Sequence, residues 1–387
     1  MAGTTLQALA AYVAAWILLG ILLSSKRSEK FEASPFAIVI RLRKRFEYFD
    51  KLRGNRLVGL LLDVGIASMF ILMALFYAMI IKRVLLIISG KPAGEAPIVP
   101  LIPGVSIDIT TFLYILPGLS LAVIVHEIMH ALASRHGGVE VKNAGILVFL
   151  GLIPAAFVEP DEDKLRKSSL RTRLRVYSAG VLANVLLWLF LLLLLKPITA
   201  QGFYMHIIKV EANSFAQEYG VQPGLTIKEV YINTTGPLDF TSFQKVMNKI
   251  RYENGGTLAN ITLIVKFVLL NDTTITVVKK AAPSNTSREE KKKYEMIGIY
   301  FVPVPKTLIK LGFSPSTAYT VFTILWLTEL INIGLAGINA APIFITDGAR
   351  VVNDVAAALL RDERKGAMIN NIVSLVTLIL IIPNINI

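Results

Sequence analysis

His126, Glu127 and His130 form an H-E-x-x-H arrangement inside an otherwise apolar run, Leu121-Ala122-Val123-Ile124-Val125-His126-Glu127-Ile128-Met129-His130. On a helix, four residues advance about 40° past a full turn, so the two imidazoles share a face and can bind one metal. Glu127, one residue on, can reach a water on that metal and act as its base. The plainer alternative is two buried histidines and a glutamate snorkelling to an interface. Each of these side chains is costly in hydrocarbon, and three together need a reason, so the metal reading is preferred. The 387-residue chain has four histidines and no cysteine, and His126, His130 and His136 fall close together. Disulfides and thiolate chemistry are therefore excluded, and a metal must be held by imidazole and carboxylate.

A catalytic zinc takes three protein ligands and leaves a position for water. His136 has the offset of an H-E-x-x-H-x-x-G-x-x-H pattern, but Ala133 stands where the glycine should turn the chain. The helix then continues and carries His136 about 600° round from His130, to the opposite side. It is read as an interfacial histidine. Glu159, Asp161 and Glu162 lie in a charged stretch that reads as a solvated turn, and Asp63 and Glu329 are carboxylates in apolar runs without a motif. Asp347 precedes Gly348 at a break in an apolar run, on the same side as the histidine pair and at a similar depth. Its competing role is to cap a helix starting near Ala349.

The elements that must position these residues are membrane spans. The chain is 54% hydrophobic and 17% charged, the balance of a polytopic membrane protein. Its net charge of +13 would suit nucleic acid, but the basic residues cluster beside apolar runs, where they report topology and contact with anionic headgroups. Six spans are expected, at about 6–23, 57–81, 111–134, 176–195, from 316 onwards, and 368–382. No basic region precedes the first and no cleavage site follows it, so it is read as uncleaved. Lys26, Arg27, Lys30, Arg41, Arg43, Lys44, Arg45, Lys51, Arg53 and Arg56 form a block that belongs in the cytosol, which puts both termini outside. The run at 84–89 is expected along the interface, and the Pro/Gly-rich 90–105 as an external loop. Residues 145–158 are apolar but interrupted by Gly151 and Pro154, too short to span, and read as a re-entrant hairpin. The basic run at 164–175 and the amphipathic 350–365 return to the cytosol.

From 201 to 305 the pattern becomes alternating and polar. Asn213 to Gly224 resembles the short helix and Pro-Gly turn of a PDZ domain, followed by strand-like 225–232, a helix near 240–250, and strands near 261–269 and 274–279. Asn233, Asn260, Asn271 and Asn285 each open an N-x-S/T sequon, which fits an extracytosolic position. The expected fold is thus a polytopic α-helical membrane protein with about six spans, a re-entrant β-like segment and an inserted small PDZ-like α+β domain. Its parts are 1–110 (two spans and a basic loop), 111–200 (catalytic spans and re-entrant segment), 201–305 (PDZ-like) and 306–387 (C-terminal spans).

His126-Glu127-x-x-His130 together with Asn339-x-x-Pro342-x-x-x-x-Asp347-Gly348 resembles the site-2 protease family of intramembrane zinc metalloproteases. Two motifs some two hundred residues apart, each in a span, are far more specific than either alone. Ala179, Gly180 and Asn184 match the family's A-G-x-x-x-N helix, with Val181 in place of a frequent proline. Phe157 to Glu162 is similar to prokaryotic, archaeal-type members, and an inserted PDZ-like domain is common in the family. The resemblance covers roughly 111–365. It implies one zinc per chain held by His126, His130 and Asp347, with Glu127 as general base. Asn184, Asn339, Pro342 and Gly348 are implied as supporting or substrate-positioning residues. It further implies cleavage of transmembrane segments of membrane-protein substrates, with the site inside the bilayer towards the cytosol. The PDZ-like domain would bind an exposed peptide C-terminus or filter substrates by size, the second being preferred because no carboxylate-binding loop is evident. The main alternative is an inactive membrane receptor or scaffold acting through that domain, which the retained Glu127 argues against. A proton-relay transporter would show internal repeats, and none is evident; a different membrane zincin would lack the Asn339–Gly348 segment.

Overall fold

The computed structural model describes residues 2–24, 28–42, 46–284, 286–287 and 290–386. Lys26, Arg27, Arg43, Lys44 and Arg45 of the basic block, and the sequon residue Asn285, lie outside them. The chain runs α1 (Ala2–Ser24), β1 (Phe31–Ala33), β2 (Ala37–Arg41), α2 (Arg56–Ile88), α3 (Ile109–His136), β3 (Val141–Phe149), β4 (Ile153–Pro160), α4 (Glu162–Lys167) and α5 (Leu170–Thr199). It continues through β5 (Phe203–Val210), α6 (Phe215–Glu218), β6 (Thr226–Ile232), β7 (Thr235–Leu238), α7 (Phe240–Glu253), β8 (Leu263–Leu269), β9 (Thr274–Lys279), β10 (Ile299–Pro305) and α8 (Lys306–Lys310). It closes with α9 (Pro315–Ala340), α10 (Asp347–Leu360) and α11 (Glu363–Ile381).

Two compact units divide the chain, one of residues 1–191 with 326–387, the other of 192–325. Among the described residues, five helices are long and apolar enough to cross a membrane: α2, α3, α5, α9, and α11 with its short extension to Asn384. In α1 the apolar stretch among the described residues is shorter, Ala11–Ser24. The run at 84–89, expected along the interface, instead extends α2 to Ile88: nothing in Lys82-Arg83 breaks a helix, and Arg83 folds its guanidinium onto the carbonyls of Ala93, Gly94 and Glu95 at 2.8, 2.6 and 2.9 Å. Each span starts where polar side chains can serve its free N–H groups. Asn55 accepts from Leu57 and Val58 at α2, and Asp108 from Thr111 at α3. Helices α2, α3, α5, α9 and α10 pack through small and apolar side chains, including Leu62, Met69, Ala133, Ala179, Val181, Leu182, Ala336, Ala340 and Val351.

The expected re-entrant segment is a hairpin of β3 and β4, and the reading of 26–56 as a plain basic loop missed its partners. Strands β1 and β2 complete a four-stranded antiparallel sheet in the order β1-β2-β3-β4. Ile40 lies opposite Ile146 and Ile38 opposite Val148, which lie in turn opposite Ala156 and Pro154. Polar pairs gather towards one end: Arg41 with Glu32 at 2.9 Å, and Asn143 with Glu159 at 2.9 Å. Asp63, a carboxylate without a motif around it, is gripped by Arg171 and Arg175 from α5.

The second unit holds an antiparallel sheet ordered β10-β5-β6-β8-β9, with β7 on β6. Its core comprises alternate strand residues such as Ile227, Val230, Ile232, Leu263, Val265 and Phe267, covered by Phe215 and Phe243. Lys279 is fully buried there, and its amine donates to the carbonyls of Leu258 and of Ile261, the latter at 2.8 Å. Burial holds this lysine below its ordinary pKa.

Candidate metal centre

The site is assembled from the C-terminal half of α3 and the first residue of α10. His126 and His130 lie one turn apart on α3 with their Nε2 atoms 3.1 Å apart. Asp347 Oδ2 stands 3.2 Å from each. Asp347 reaches them because α9 ends at Ala340, Pro342 prevents its continuation, and the chain turns back to start α10. Thr346 caps that helix, its hydroxyl accepting from Ala349 N–H and lying 3.0 Å from Ile343 O. Asp347 itself is the first helical residue, where a carboxylate is favoured by the free N–H groups. The turn needs Gly348. A Cβ there would lie 2.2 Å from Ala340 O, so any other residue would push α10 off the end of α9.

Backbone and amide groups of α5 orient both imidazoles. His130 Nδ1–H donates to Val176 O at 2.7 Å, which leaves the Nε2 lone pair facing His126 and Asp347. The Asn184 amide, fully buried, lies 3.1 Å from His126 Nδ1. Its Oδ1 lacks a hydrogen-bond donor. The two ends of an amide are nearly isosteric, and with Oδ1 turned to Nδ1–H the His126 Nε2 lone pair also faces the site. Gly180, between these residues on α5, lets the imidazole lie against the helix: a Cβ there would stand 2.3 Å from His126 Nε2.

Three lone-pair-bearing atoms thus face one another inside an apolar helix bundle. Asp347 Oδ2 is buried without a hydrogen-bond donor, and such a group needs a cation. The centre of a triangle with these edges lies about 1.8 Å from its corners, close to the zinc–ligand distance of about 2.0–2.1 Å. Among the described residues this is the one group of three or more histidine and acidic side chains converging closely enough to hold a metal. The donor set fits zinc or a similar divalent ion, with no thiolate in the chain to compete.

Glu127 is half-buried, and one carboxylate oxygen accepts from Val158 N–H of β4 at 2.8 Å. That contact sets the register of the edge strand. Val158 N–H points out of the β3–β4 ladder, as do the nitrogens of Pro154 and Pro160, which have nothing to donate. The same alternation turns the N–H and C=O of Ala156 outwards.

The other marked residues lie elsewhere. His136 is buried and donates from Nε2 to Asn55 O at 3.0 Å, a structural tie between α3 and the start of α2. Glu329 accepts from the Trp188 indole at 2.5 Å, Asp161 caps α4, and Glu159 holds Asn143. Asn339 donates back to Leu335 O of its own helix at 3.0 Å, and Pro342 is buried in the turn. Sequence reasoning missed two contributors, the Val176 carbonyl and the Val158 N–H. Both are main-chain groups, so no residue type announces them.

Apolar spanning helices carrying a buried His-His-Asp group beside a glutamate define a membrane-embedded metalloprotease class. The chain belongs to peptidase family M50, the site-2 protease family, whose model matches residues 114–382. Members of that family are zinc metalloproteases of membranes. An uncharacterized protein of Methanocaldococcus jannaschii, MJ0971, is 28% identical over 323 residues, covering 80% of this chain and 75% of that protein. A protein of Arabidopsis thaliana named membrane-bound transcription factor site-2 protease homolog is 30% identical over 107 residues, covering 27% of this chain and 20% of that protein. The chain is a multi-pass membrane metalloprotease.

Proposed function

We propose that the protein is an intramembrane zinc endopeptidase that cleaves transmembrane segments of membrane-protein substrates. His126, His130 and Asp347 hold the zinc and Glu127 is the general base. The observation that carries this reading is the convergence of three acceptor atoms from α3 and α10 within 3.2 Å of one another, with Glu127 next in the chain. A bound zinc supplies Lewis acidity at the scissile carbonyl and acidifies a water that it holds.

The chain's own groups supply the rest. Val158 N–H holds one oxygen of Glu127, so the carboxylate is presented in a fixed orientation and its other oxygen is left to take a proton from water. The same carboxyl then returns the proton to the leaving amine. Val176 O and Asn184 hold the imidazoles in the ligating tautomer. A substrate helix must unwind before its carbonyl can be attacked, and its freed main-chain groups need partners in a medium without water. Ala156, with N–H and C=O outwards on the edge of β4 beside Glu127, is placed to pair with such a strand.

The charge pattern supports a site reached from the cytosol, with both termini and the second unit outside. The second unit is read as a PDZ-like domain that filters substrates by ectodomain size or captures a peptide C-terminus. Its alternating six-stranded sheet and two covering helices support that comparison.

The test is proteolysis of a single-span substrate by the purified chain in bilayers. Wild type should cut within the span, and Glu127→Gln should retain the fold and lose cleavage by at least a thousandfold. Equal cleavage by Glu127→Gln would refute the assigned base.

A further inference from the structure

Three sequon asparagines lie among the described residues, and their surroundings differ. Asn233 is tied to Ile264 of β8 twice, through its own N–H at 2.8 Å and through Oδ1, which accepts from Ile264 N–H at 3.0 Å. Its hydroxyl partner, Thr235, is the first residue of β7 and pairs with Ile232. Asn260 is exposed, but the hydroxyl of its Thr262 is engaged by Ala281 N–H at 3.2 Å. Asn271 is free of such ties. It occupies the turn between β8 and β9, exposed together with Asp272 and Thr273. Its Oδ1 accepts from Thr273 N–H at 3.2 Å and from the Thr273 hydroxyl at 2.7 Å. The asparagine and threonine side chains are therefore joined directly within a tight turn, while Asp272 between them accepts from Lys228 Nζ of β6 at 2.9 Å.

We propose that Asn271 is a glycan acceptor, modified by a membrane oligosaccharyl transferase that uses a lipid-phosphate-linked oligosaccharide. The two donors on Oδ1 draw electron density to the oxygen and make Nδ2–H more acidic. Nδ2 attacks the anomeric carbon of the donor sugar: an N–C bond forms, the bond from that carbon to the phosphate oxygen breaks, and the lipid phosphate leaves with the electron pair. The amide proton passes to a base of the transferase. No electron is gained or lost. The hairpin tip can carry a bulky group because both strands are already paired beneath it, β8 with β6 and β9 with β8. This inference rests on the proposed placement of the second unit outside the cytosol.

The experiment is to insert the full chain into sealed membrane vesicles that carry N-glycosylation machinery and follow its mobility before and after endoglycosidase. The expected result is an endoglycosidase-sensitive shift that Asn271→Gln and Thr273→Ala each reduce by one glycan. Thr273→Ser, Asn233→Gln and Asn260→Gln should leave it unchanged. A shift that Asn271→Gln does not alter overturns the proposal. The side of the membrane is read independently by Tyr252→Cys, since Tyr252 is 86% exposed on the second unit and the chain has no cysteine of its own. An impermeant maleimide should label that variant only after the vesicles are opened. Labelling of this kind without a glycan refutes the acceptor and leaves the placement standing. Labelling of sealed vesicles refutes the placement, and the acceptor with it.

Discussion

The two sheets of this protein are built from the same antiparallel backbone pattern and differ in how their apolar residues are distributed over the two faces. In the six-stranded sheet, β8 alternates cleanly: Leu263, Val265 and Phe267 are buried, and Ile264 and Lys266 are exposed. In the four-stranded sheet no such alternation exists. Ile38, Ile40, Ile146, Val148, Pro154 and Ala156 share one face by register, while Val39, Leu147, Phe149, Ala155 and Phe157 share the other. A sheet with water on one side reads polar on that side; one apolar on both sides needs protein or lipid over each. Exposure alone therefore does not describe an environment. Ile146 and Ile264 are 44% and 49% exposed, yet the first has apolar cross-strand neighbours on its face, Ile40 and Ala156, whereas the second shares its face with the exposed Lys266.

Equal substitutions at this matched pair should break the comparison if it is wrong. Ile146→Lys is expected to cost about 2–4 kcal/mol, the range for a lysine deep in a lipid-facing β-sheet, whereas Ile264→Lys should stay within about 0.5 kcal/mol. Unfolding of the two variants in bilayers or mild detergent measures both, and similar costs would show that the sheets share one solvent. The edge of β4 gives the next contrast. Ala156→Pro removes an outward N–H without disturbing the bonds to β3, so cleavage should fall on the order of a hundredfold, or about 2.7 kcal/mol, with metal content unchanged. Full turnover by that variant would end the strand-pairing role. Within the helices, Asn184→Ala removes the amide that orients His126 and should weaken zinc binding by roughly 10–100-fold, read by competition with a chelator.

A smaller loss is expected at a helix cap in the second unit. Asp239 caps α7 by accepting from Ser242 N–H at 2.8 Å, and Asp239→Ala should destabilise that unit by about 1 kcal/mol. The same N–H holds the carboxyl below its ordinary value of 3.8. The folded pKa is the lower one, so the contribution is complete above pH 3.8 and is lost as the pH falls through the folded value. Acid titration of wild type and variant should therefore converge at the acid end. A difference that grows there would contradict the cap.

Much of this was legible in the sequence because membrane and metal chemistry restrict residue choice so strongly. A charge-poor run with His126, Glu127 and His130 in it allows few explanations, and the break at Pro342 and Gly348 marks where Asp347 can be delivered. The supporting geometry was less visible. Strands β1 and β2 were hidden in a segment whose basic residues dominate its composition, and three- and five-residue strands leave too little pattern to read. The Val84–Ser89 run reads as interfacial in the sequence because Lys82 and Arg83 look like a span's end. The helix runs on because Arg83 finds three carbonyls to bond. Helical periodicity turns His136 away from the histidine pair, but its bond to Asn55 O depends on where α2 begins, which periodicity does not tell. Val176 O and Val158 N–H carry no side-chain signature at all.

If α3 and α10 together hold one zinc ion, the metal stoichiometry of the purified chain reports it. Wild type and Glu127→Gln should each carry one zinc per chain, and Asp347→Ala should retain less than a tenth of that while its helices remain folded by circular dichroism. Zinc content unchanged in Asp347→Ala, or absent from the wild type after loading, would contradict the account.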